Sequence, residues 1–320
     1  MKLRCAILDD YQHVSLSMAD WSTVSDSLDI QVFHRHFELE DELAAAIVHC
    51  EIVVIMRERT PFRESLFRRL PHLKLLVTTG MRNASVDLEA AARHGVAVSG
   101  TGGGGRGPAE LTWALILGLT KHLIPENGSI RNNGTWQTRI GVDLYGKRLG
   151  LLGLGRIGGQ VAQVGLAFGM EVVAWSPNLT EEKALAAGVR LAASKEELLE
   201  SSDFVSIHLV LGERSRGLVG ARELGLMRPT AYLINTSRAP IVDQDALREA
   251  LSEGRIAGAG LDVFDIEPLP SDDLFRSLPN VLATPHVGFV TEESYRVFYR
   301  DIVQNIHAFL TGTPIRLLGS

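Results

Sequence analysis

The stretch "LLGLGRIGGQ" at 151–160 constrains the fold of this chain more than any other. Gly153, Gly155 and Gly158 form a GxGxxG pattern, directly after the apolar run 149–152 and at the start of a helical one. A glycine in the first place permits a tight turn. The second lets the backbone approach a pyrophosphate, and the third lets helix and strand pack closely. The free N–H groups of the helix start, aided by the helix dipole, then face an anion. Arg156 adds a charge inside the loop, beside Ile157. The strand–loop–helix context favours a dinucleotide site over the alternative of a helix merely packed tight on a strand.

Such a fingerprint is usually answered, about 20 residues on, by an Asp or Glu that holds the adenosine ribose. Here the chain reads "EVVAWSPNLT", and the place is taken by Ser176, with Pro177 next in the turn. The pyrophosphate needs only the glycines and the helix start, so the missing acid changes which cofactor is tolerated. An Asp repels a 2′-phosphate, whereas Ser176 repels nothing. A dedicated NADP site normally supplies an Arg close by. None lies in 176–180, where Asn178 and Thr180 bring no charge, and the nearest cations are Lys183 and Arg190. Relaxed use of NAD or NADP is expected.

Short apolar runs alternate with helical patterns on both sides of this loop. "CAILDD", "EIVVIM", "LKLLVTT" and "VAVSG" read as strands, and "DELAAAIVHC", "RESLFRRL" and "SVDLEAAARHG" as helices between them. The rhythm restarts at 148 and runs through "EVVAWS", "SKEELLESS", "FVSIHLV", "AYLINTS", "DQDALREALSEG" and "IAGAGLDVF". In "SKEELLESS" the pair Ser194 and Glu197 predicts a capping box. Alternation of this kind argues for parallel sheets with helices on both faces. Between the two α/β units lie the run Gly102 to Gly105, read as a crossover loop or a close backbone approach to a ligand, and a polar insert around Trp136. A last helix carries Tyr295, Phe298, Ile302, Ile306 and Phe309 on one stripe and stops at Gly312 and Pro314.

A chain of 320 residues accommodates two domains of ordinary size, and at 45% hydrophobic residues its core needs no disulfide or metal staple. Net charge of −6 argues against a nucleic-acid backbone as partner. Cys5 and Cys50, the latter in a helix-like run, read as buried hydrophobes of a reducing compartment. No spacing suggests a metal. The N-terminus lacks signal-peptide anatomy and no apolar stretch reaches 18 residues, so a cytoplasmic protein with no membrane contact is expected.

Three further segments place polar residues just past apolar strands, on the edge that faces ligands in open α/β sheets. "INTSRAPIVD" carries Arg238, a planar match to a carboxylate. "GLDVFDIEPLP" carries Asp262, Asp265 and Glu267. "ATPHVGF" carries His286. Acid–base work at neutral pH suits a His, and a carboxylate partner stabilises its charged form. An Arg to grip a carboxylate completes a site for a 2-oxoacid.

"GLGRIG", "INTSRAPIVD", "GLDVFDIEP" and "TPHVGF", in this order and spacing, resemble the D-isomer-specific 2-hydroxyacid dehydrogenases, phosphoglycerate dehydrogenase among them. The resemblance covers nearly the whole chain and extends to "VTTGMRNASVDLEAAARHGVAV". It implies two doubly wound parallel-sheet α/β domains, a Rossmann nucleotide domain at 100–289 inserted into a flavodoxin-like substrate domain built from 1–99 and 290–320. It implies that Arg238 grips the substrate, Glu267 backs the histidine and His286 is the general acid/base. Asp262 would orient the nicotinamide amide, and His208 joins the cofactor set. Gly80 and Met81 would receive the substrate carboxylate, and the insert around Trp136 would be a dimer-forming arm. "MRERTPF" resembles the run that grips phosphate in phosphoglycerate dehydrogenases, which makes Arg57 and Arg59 candidates for a second anion on the substrate, such as that of 3-phosphoglycerate.

The chain departs from the family pattern in places. Ala239 and Pro240 stand where glycines are common, Val210 where a Pro is common, and "TTGMRN" replaces the usual "GAGxDN". No regulatory domain is expected after residue 320. The expected activity is hydride transfer between a nicotinamide cofactor and a D-2-hydroxyacid/2-oxoacid pair, by a homodimer acting on a small molecule. The rival reading is a catalytically silent, nucleotide-sensing corepressor-like protein of the same fold. A hydrolase is disfavoured because no GxSxG elbow appears.

Overall fold

The computed structural model describes residues 2–103 and 105–319; Gly104, in the glycine run, lies outside the described residues. The chain divides into two compact units, one formed by 1–105 with 291–320 and the other by 106–290.

The first unit holds β1 (Leu3–Ile7), β2 (Leu28–Val32), β3 (Ile52–Ile55), β4 (Leu75–Thr78) and β5 (Ala97–Ser99) in the parallel order β2-β1-β3-β4-β5. All residues of β3 and β4 are buried. Both faces of these strands are covered, which is why they read as unbroken apolar runs rather than alternating ones. Cys5 and Cys50 are buried, but Cys50 lies past the helix Glu40–Ile47 rather than in it. The final helix, Glu292–Leu310, returns to this unit. Its Asn305 donates to the Gly100 carbonyl at 2.7 Å, and its Asp301 accepts from the Gly102 N–H at 2.8 Å. A Cβ on Gly102 would lie 2.9 Å from that Asp301 carboxylate, so the close approach Gly102 permits is to the final helix.

The second unit holds β6 (Arg148–Leu152), β7 (Glu171–Trp175), β8 (Arg190–Leu191), β9 (Phe204–Ile207), β10 (Tyr232–Asn235), β11 (Gly258–Leu261) and β12 (Val281–Ala283). They form one parallel sheet in the order β12-β11-β10-β9-β6-β7-β8. The chain runs outward from β6 through β7 to β8, then crosses back to β9 on the other side of β6. That reversal is the switch point at which such sheets open a crevice, and the glycine loop sits on it. Local chemistry fixes the helix starts. Asp243 caps the helix Gln244–Ser252 by accepting from the Asp245 and Ala246 N–H groups. At the helix Lys195–Ser201, Ser194 accepts from the Glu197 N–H, but the Glu197 carboxylate reaches Ala193 N at 2.6 Å and not Ser194 N. The reciprocal half of the predicted capping box therefore falls one residue early. Among the described residues no helix is long and apolar enough to cross a membrane.

Candidate active site

Each glycine of the loop has its own physical reason. Gly153 has φ of +105°, and a Cβ there would lie 2.6 Å from the His208 carbonyl oxygen. A Cβ on Gly158 would collide with the Gly153 carbonyl, so this glycine sets how closely the helix Arg156–Ala167 abuts the loop. Gly155, the N-cap, is different: a Cβ there would meet nothing within 4 Å. Protein packing does not require a glycine at 155. Ile157 and Arg156 open the helix behind it.

His208 closes the loop from the neighbouring strand. Its N–H bonds to the Leu152 carbonyl at 2.8 Å, and its Nε2 is paired with the buried Ser206 hydroxyl at 2.9 Å. Burial lowers the imidazole pKa to about 4, so the ring is neutral at physiological pH and brings no charge to the loop. Ser206 escaped the sequence reading because a serine inside a buried strand carries no signal of its own.

At the end of β7, Ser176 is half-buried and Pro177 exposed, and the Leu179 N–H bonds to the Ser176 carbonyl to close the turn. Of the two nearest cations, Arg190 is drawn to Glu197 at 2.8 Å and to Glu171 at 3.8 Å, while Lys183 is exposed. Thr180 caps the following helix by accepting from the Lys183 N–H.

Beyond β10, β11 and β12 the three polar segments lie on adjacent strand ends. Arg238 is half-buried, with Nη1 donating to the Ser237 carbonyl at 2.8 Å. Its own carbonyl accepts from Asn235 Nδ2 at 3.1 Å, and Ser237 Oγ donates to Leu209 O at 2.6 Å, so the loop is pinned to the end of β10 and to the segment that follows β9. Neither Ala239 nor Pro240 has left-handed backbone, so the departure from glycine there carries no strain. His286 Nδ1 meets Glu267 Oε2 at 2.7 Å, and the edge of Phe289 packs against the His286 ring at 5.4 Å. With Nδ1–H given to the carboxylate, Nε2 is the ring atom left to exchange a proton. Asp262 is buried, and its carboxylate accepts from Thr284, Val287 and Gly288 in the loop that carries His286.

In the first unit the candidates separate. Arg57 has φ of +53°, its N–H bonds to Thr79 Oγ1 at 2.9 Å, and its guanidinium lies where a side chain on Gly80 would stand. Met81, next to Gly80, is exposed. Arg59 turns elsewhere: it donates to the Asp9 carbonyl at 3.0 Å and lies over the Tyr11 ring at 4.6 Å. The structure thus brings Arg57 to Gly80, while Arg59 reaches the Asp9–Tyr11 segment that follows β1.

These features define a doubly wound α/β protein with a dinucleotide loop and a histidine–carboxylate pair. Residues 113–288 match the family described as D-isomer specific 2-hydroxyacid dehydrogenase, NAD binding domain. The chain is 37% identical over 280 residues to the D-3-phosphoglycerate dehydrogenase of Bacillus subtilis, a match covering 87% of this chain and 52% of that one. It is 33% identical over 295 residues to the glyoxylate reductase of Korarchaeum cryptofilum, covering 87% and 88%. Among solved structures it is similar to a putative D-3-phosphoglycerate dehydrogenase from Ralstonia solanacearum, with 36% identity, a TM-score of 0.92 and coverage of 99% and 96%. The chain belongs to the D-isomer specific 2-hydroxyacid dehydrogenase family. It spans about half the length of the D-3-phosphoglycerate dehydrogenases of Bacillus subtilis and Methanocaldococcus jannaschii that it matches.

Proposed function

We propose that this protein is an NAD(P)-dependent oxidoreductase acting on the CH–OH group of D-2-hydroxyacids and reducing the corresponding 2-oxoacids. The observation that carries the reading is the 2.7 Å pair of His286 and Glu267 on the same sheet edge as Arg238. β10 and β12 flank β11, so Arg238 and His286 start from strand ends about 10 Å apart, a span that suits a short oxoacid. Gly153, Gly155, Arg156, Ile157 and Gly158 would hold the pyrophosphate, with Ser176 and Pro177 at the ribose and His208 beneath. The bound nicotinamide supplies or accepts the hydride. Arg238 pairs with the substrate carboxylate through its planar fork and orients the carbonyl beside it. In reduction, the imidazolium of His286 releases the Nε2 proton to the keto oxygen, and the neutral ring keeps Nδ1–H on Glu267. In oxidation the neutral Nε2 takes the hydroxyl proton.

The phosphoglycerate dehydrogenase and glyoxylate reductase names on the relatives bracket the substrate. Arg57 beside Gly80 supports a substrate with a second anion. Exposed Leu123, Ile124, Ile130, Trp136 and Ile140, the last 93% exposed, support a homodimer through the insert. We place the protein in the cytoplasm.

The test is turnover of a 2-oxoacid panel with NADH and NADPH, including hydroxypyruvate and its phosphorylated analogue. Turnover that depends on His286 supports the reading. Cofactor binding without turnover of any member overturns it and favours a nucleotide sensor. Equal kcat/KM for hydroxypyruvate and its phosphate counts against the second anion.

A further inference from the structure

Within "TTGMRN", the segment where the chain departs from its family, two side chains hold the backbone of one residue. Arg57 lies two positions past β3 and has φ of +53°. Left-handed backbone is unfavourable for a residue with a Cβ and persists where the surroundings over-determine it. Here both polar groups of the Arg57 backbone are taken. Its N–H bonds to Thr79 Oγ1 at 2.9 Å, where a continuing parallel ladder would use the Thr79 carbonyl. Its carbonyl accepts from Asn83 Nδ2 at 2.6 Å. The Asn83 amide is fully engaged: Nδ2 also donates to Thr78 Oγ1 at 2.8 Å, and Oδ1 accepts from the Ser85 N–H at 2.9 Å and from Ser85 Oγ at 2.6 Å. These partners fix which way the amide points, because a carbonyl only accepts and an N–H only donates. Asn83, Thr78 and Thr79 are all buried, so water competes little for these bonds. Gly80 completes the arrangement. Its N–H bonds to Thr101 Oγ1 at 2.8 Å, and lacking a side chain it leaves the place that the Arg57 guanidinium occupies.

We infer that Asn83 and Thr79 are positioning residues that hold Arg57 in its left-handed turn, and so set the preference for a substrate with a second anion. The inference rests on the reading of Arg57 as the group that pairs with that anion. A guanidinium selects by direction, since it presents a planar fork of donors, and where that fork stands depends on the backbone that carries it. An arginine released from the turn would keep its charge and lose its aim at the space beside Gly80. Asparagine is the side chain that fits at 83. A carboxylate there would still accept from Ser85 but would set an oxygen against the Arg57 carbonyl, acceptor against acceptor.

The experiment compares wild type with Asn83→Ala, Thr79→Val and Thr79→Ser, with Arg57→Ala as the reference for complete loss. kcat and KM are measured for hydroxypyruvate and for its phosphorylated analogue at saturating NADH. Asn83→Ala and Thr79→Val are expected to raise KM for the phosphorylated analogue roughly tenfold, part of what a charge-assisted pair contributes. Their kcat, and their KM for hydroxypyruvate, should stay within about twofold, because binding of the second anion is lost and the chemistry is kept. Thr79→Ser retains the hydroxyl and should behave as wild type. A role confined to folding would lower Tm and leave the two substrates in their wild-type KM ratio. That ratio unchanged in Asn83→Ala and Thr79→Val, while Arg57→Ala alters it, overturns the inference. A wild type with no preference that Arg57→Ala removes sinks the second-anion reading instead. The crystal structure of Asn83→Ala then decides whether the amide holds the arginine: Arg57 still at positive φ overturns the positioning role, and Arg57 relaxed to negative φ upholds it. If Asn83→Ala does not fold, Thr79→Val and Thr79→Ser are judged by the same two criteria.

Discussion

Glu267 divides its two oxygens between the catalytic candidate and its own loop: Oε2 meets His286 Nδ1 at 2.7 Å, while Oε1 accepts from the Phe264 N–H at 2.9 Å. The carboxylate therefore cannot rotate without giving up a backbone bond, and the imidazole it orients inherits that rigidity. His286→Ala should lower kcat by roughly two to four decades, the usual value of positioned acid–base catalysis, with cofactor affinity little changed. Steady-state kinetics on the best 2-oxoacid check this, and a near-normal kcat removes His286 from the mechanism.

Gly155 and Gly158 should fail in different ways when substituted. Gly158→Ala forces a side chain into the Gly153 carbonyl and should lower Tm as well as cofactor binding. Gly155→Ala meets no protein atom and should leave Tm unchanged while weakening NADH binding by an order of magnitude or so. Thermal melts and fluorescence titration of the two variants separate the cases. If Gly155→Ala binds the cofactor normally, the loop is not the pyrophosphate site.

Cofactor choice turns on Ser176. Arg190 is held by Glu197 and Glu171, and Ser176 brings no acid to oppose a 2′-phosphate. NAD and NADP should serve within about tenfold of each other, a difference below roughly 1.4 kcal/mol, and Ser176→Asp should shift the preference toward NAD. The ratio of kcat/KM values for both cofactors, measured on both proteins, checks this. A thousandfold preference in wild type would mean that a residue outside the turn sets the choice.

His208 predicts a pH dependence of stability. Its folded pKa of about 4 lies below the unfolded value of 6.5. A depressed pKa contributes stability that is present above the unfolded value and is lost as pH falls toward the folded one. Wild type should weaken between pH 6.5 and pH 4 more steeply than His208→Asn, which binds no proton in either state. Urea midpoints at pH 7 and pH 5 provide the comparison, and parallel slopes for the two proteins would show that the ring is not desolvated.

The sequence made the sheets legible because parallel strands covered on both faces must be apolar throughout, as "EIVVIM" and "LKLLVTT" are. The glycine loop was legible because its pattern is local: Gly153 turns with φ of +105°, and Gly158 packs on the Gly153 carbonyl five residues before it. What the sequence concealed depends on bonds between distant residues. Asp262 reaches Gly288 across 26 positions, a pairing that leaves no spacing rule behind. Arg57 and Arg59 looked equivalent two residues apart, yet the left-handed backbone at Arg57 helps send them to different neighbours. At Glu197 one residue of register decided which N–H the carboxylate reached.

The sheet order also bears on how such a protein can be altered. Arg238, Asp262, Glu267 and His286 all hang from β10, β11 and β12, which follow one another in the chain and sit side by side at one end of the sheet, whereas the glycine loop and Ser176 hang from β6 and β7 beyond β9. The strand ends that carry the histidine–carboxylate pair thus form a single contiguous cassette, from Tyr232 to Gly288, whose internal bonds travel with it. A chimera that exchanges this cassette as a block between relatives would keep each histidine with the carboxylates that shaped it. A crossover placed between Asp262 and Thr284 would separate a carboxylate from the turn it fits.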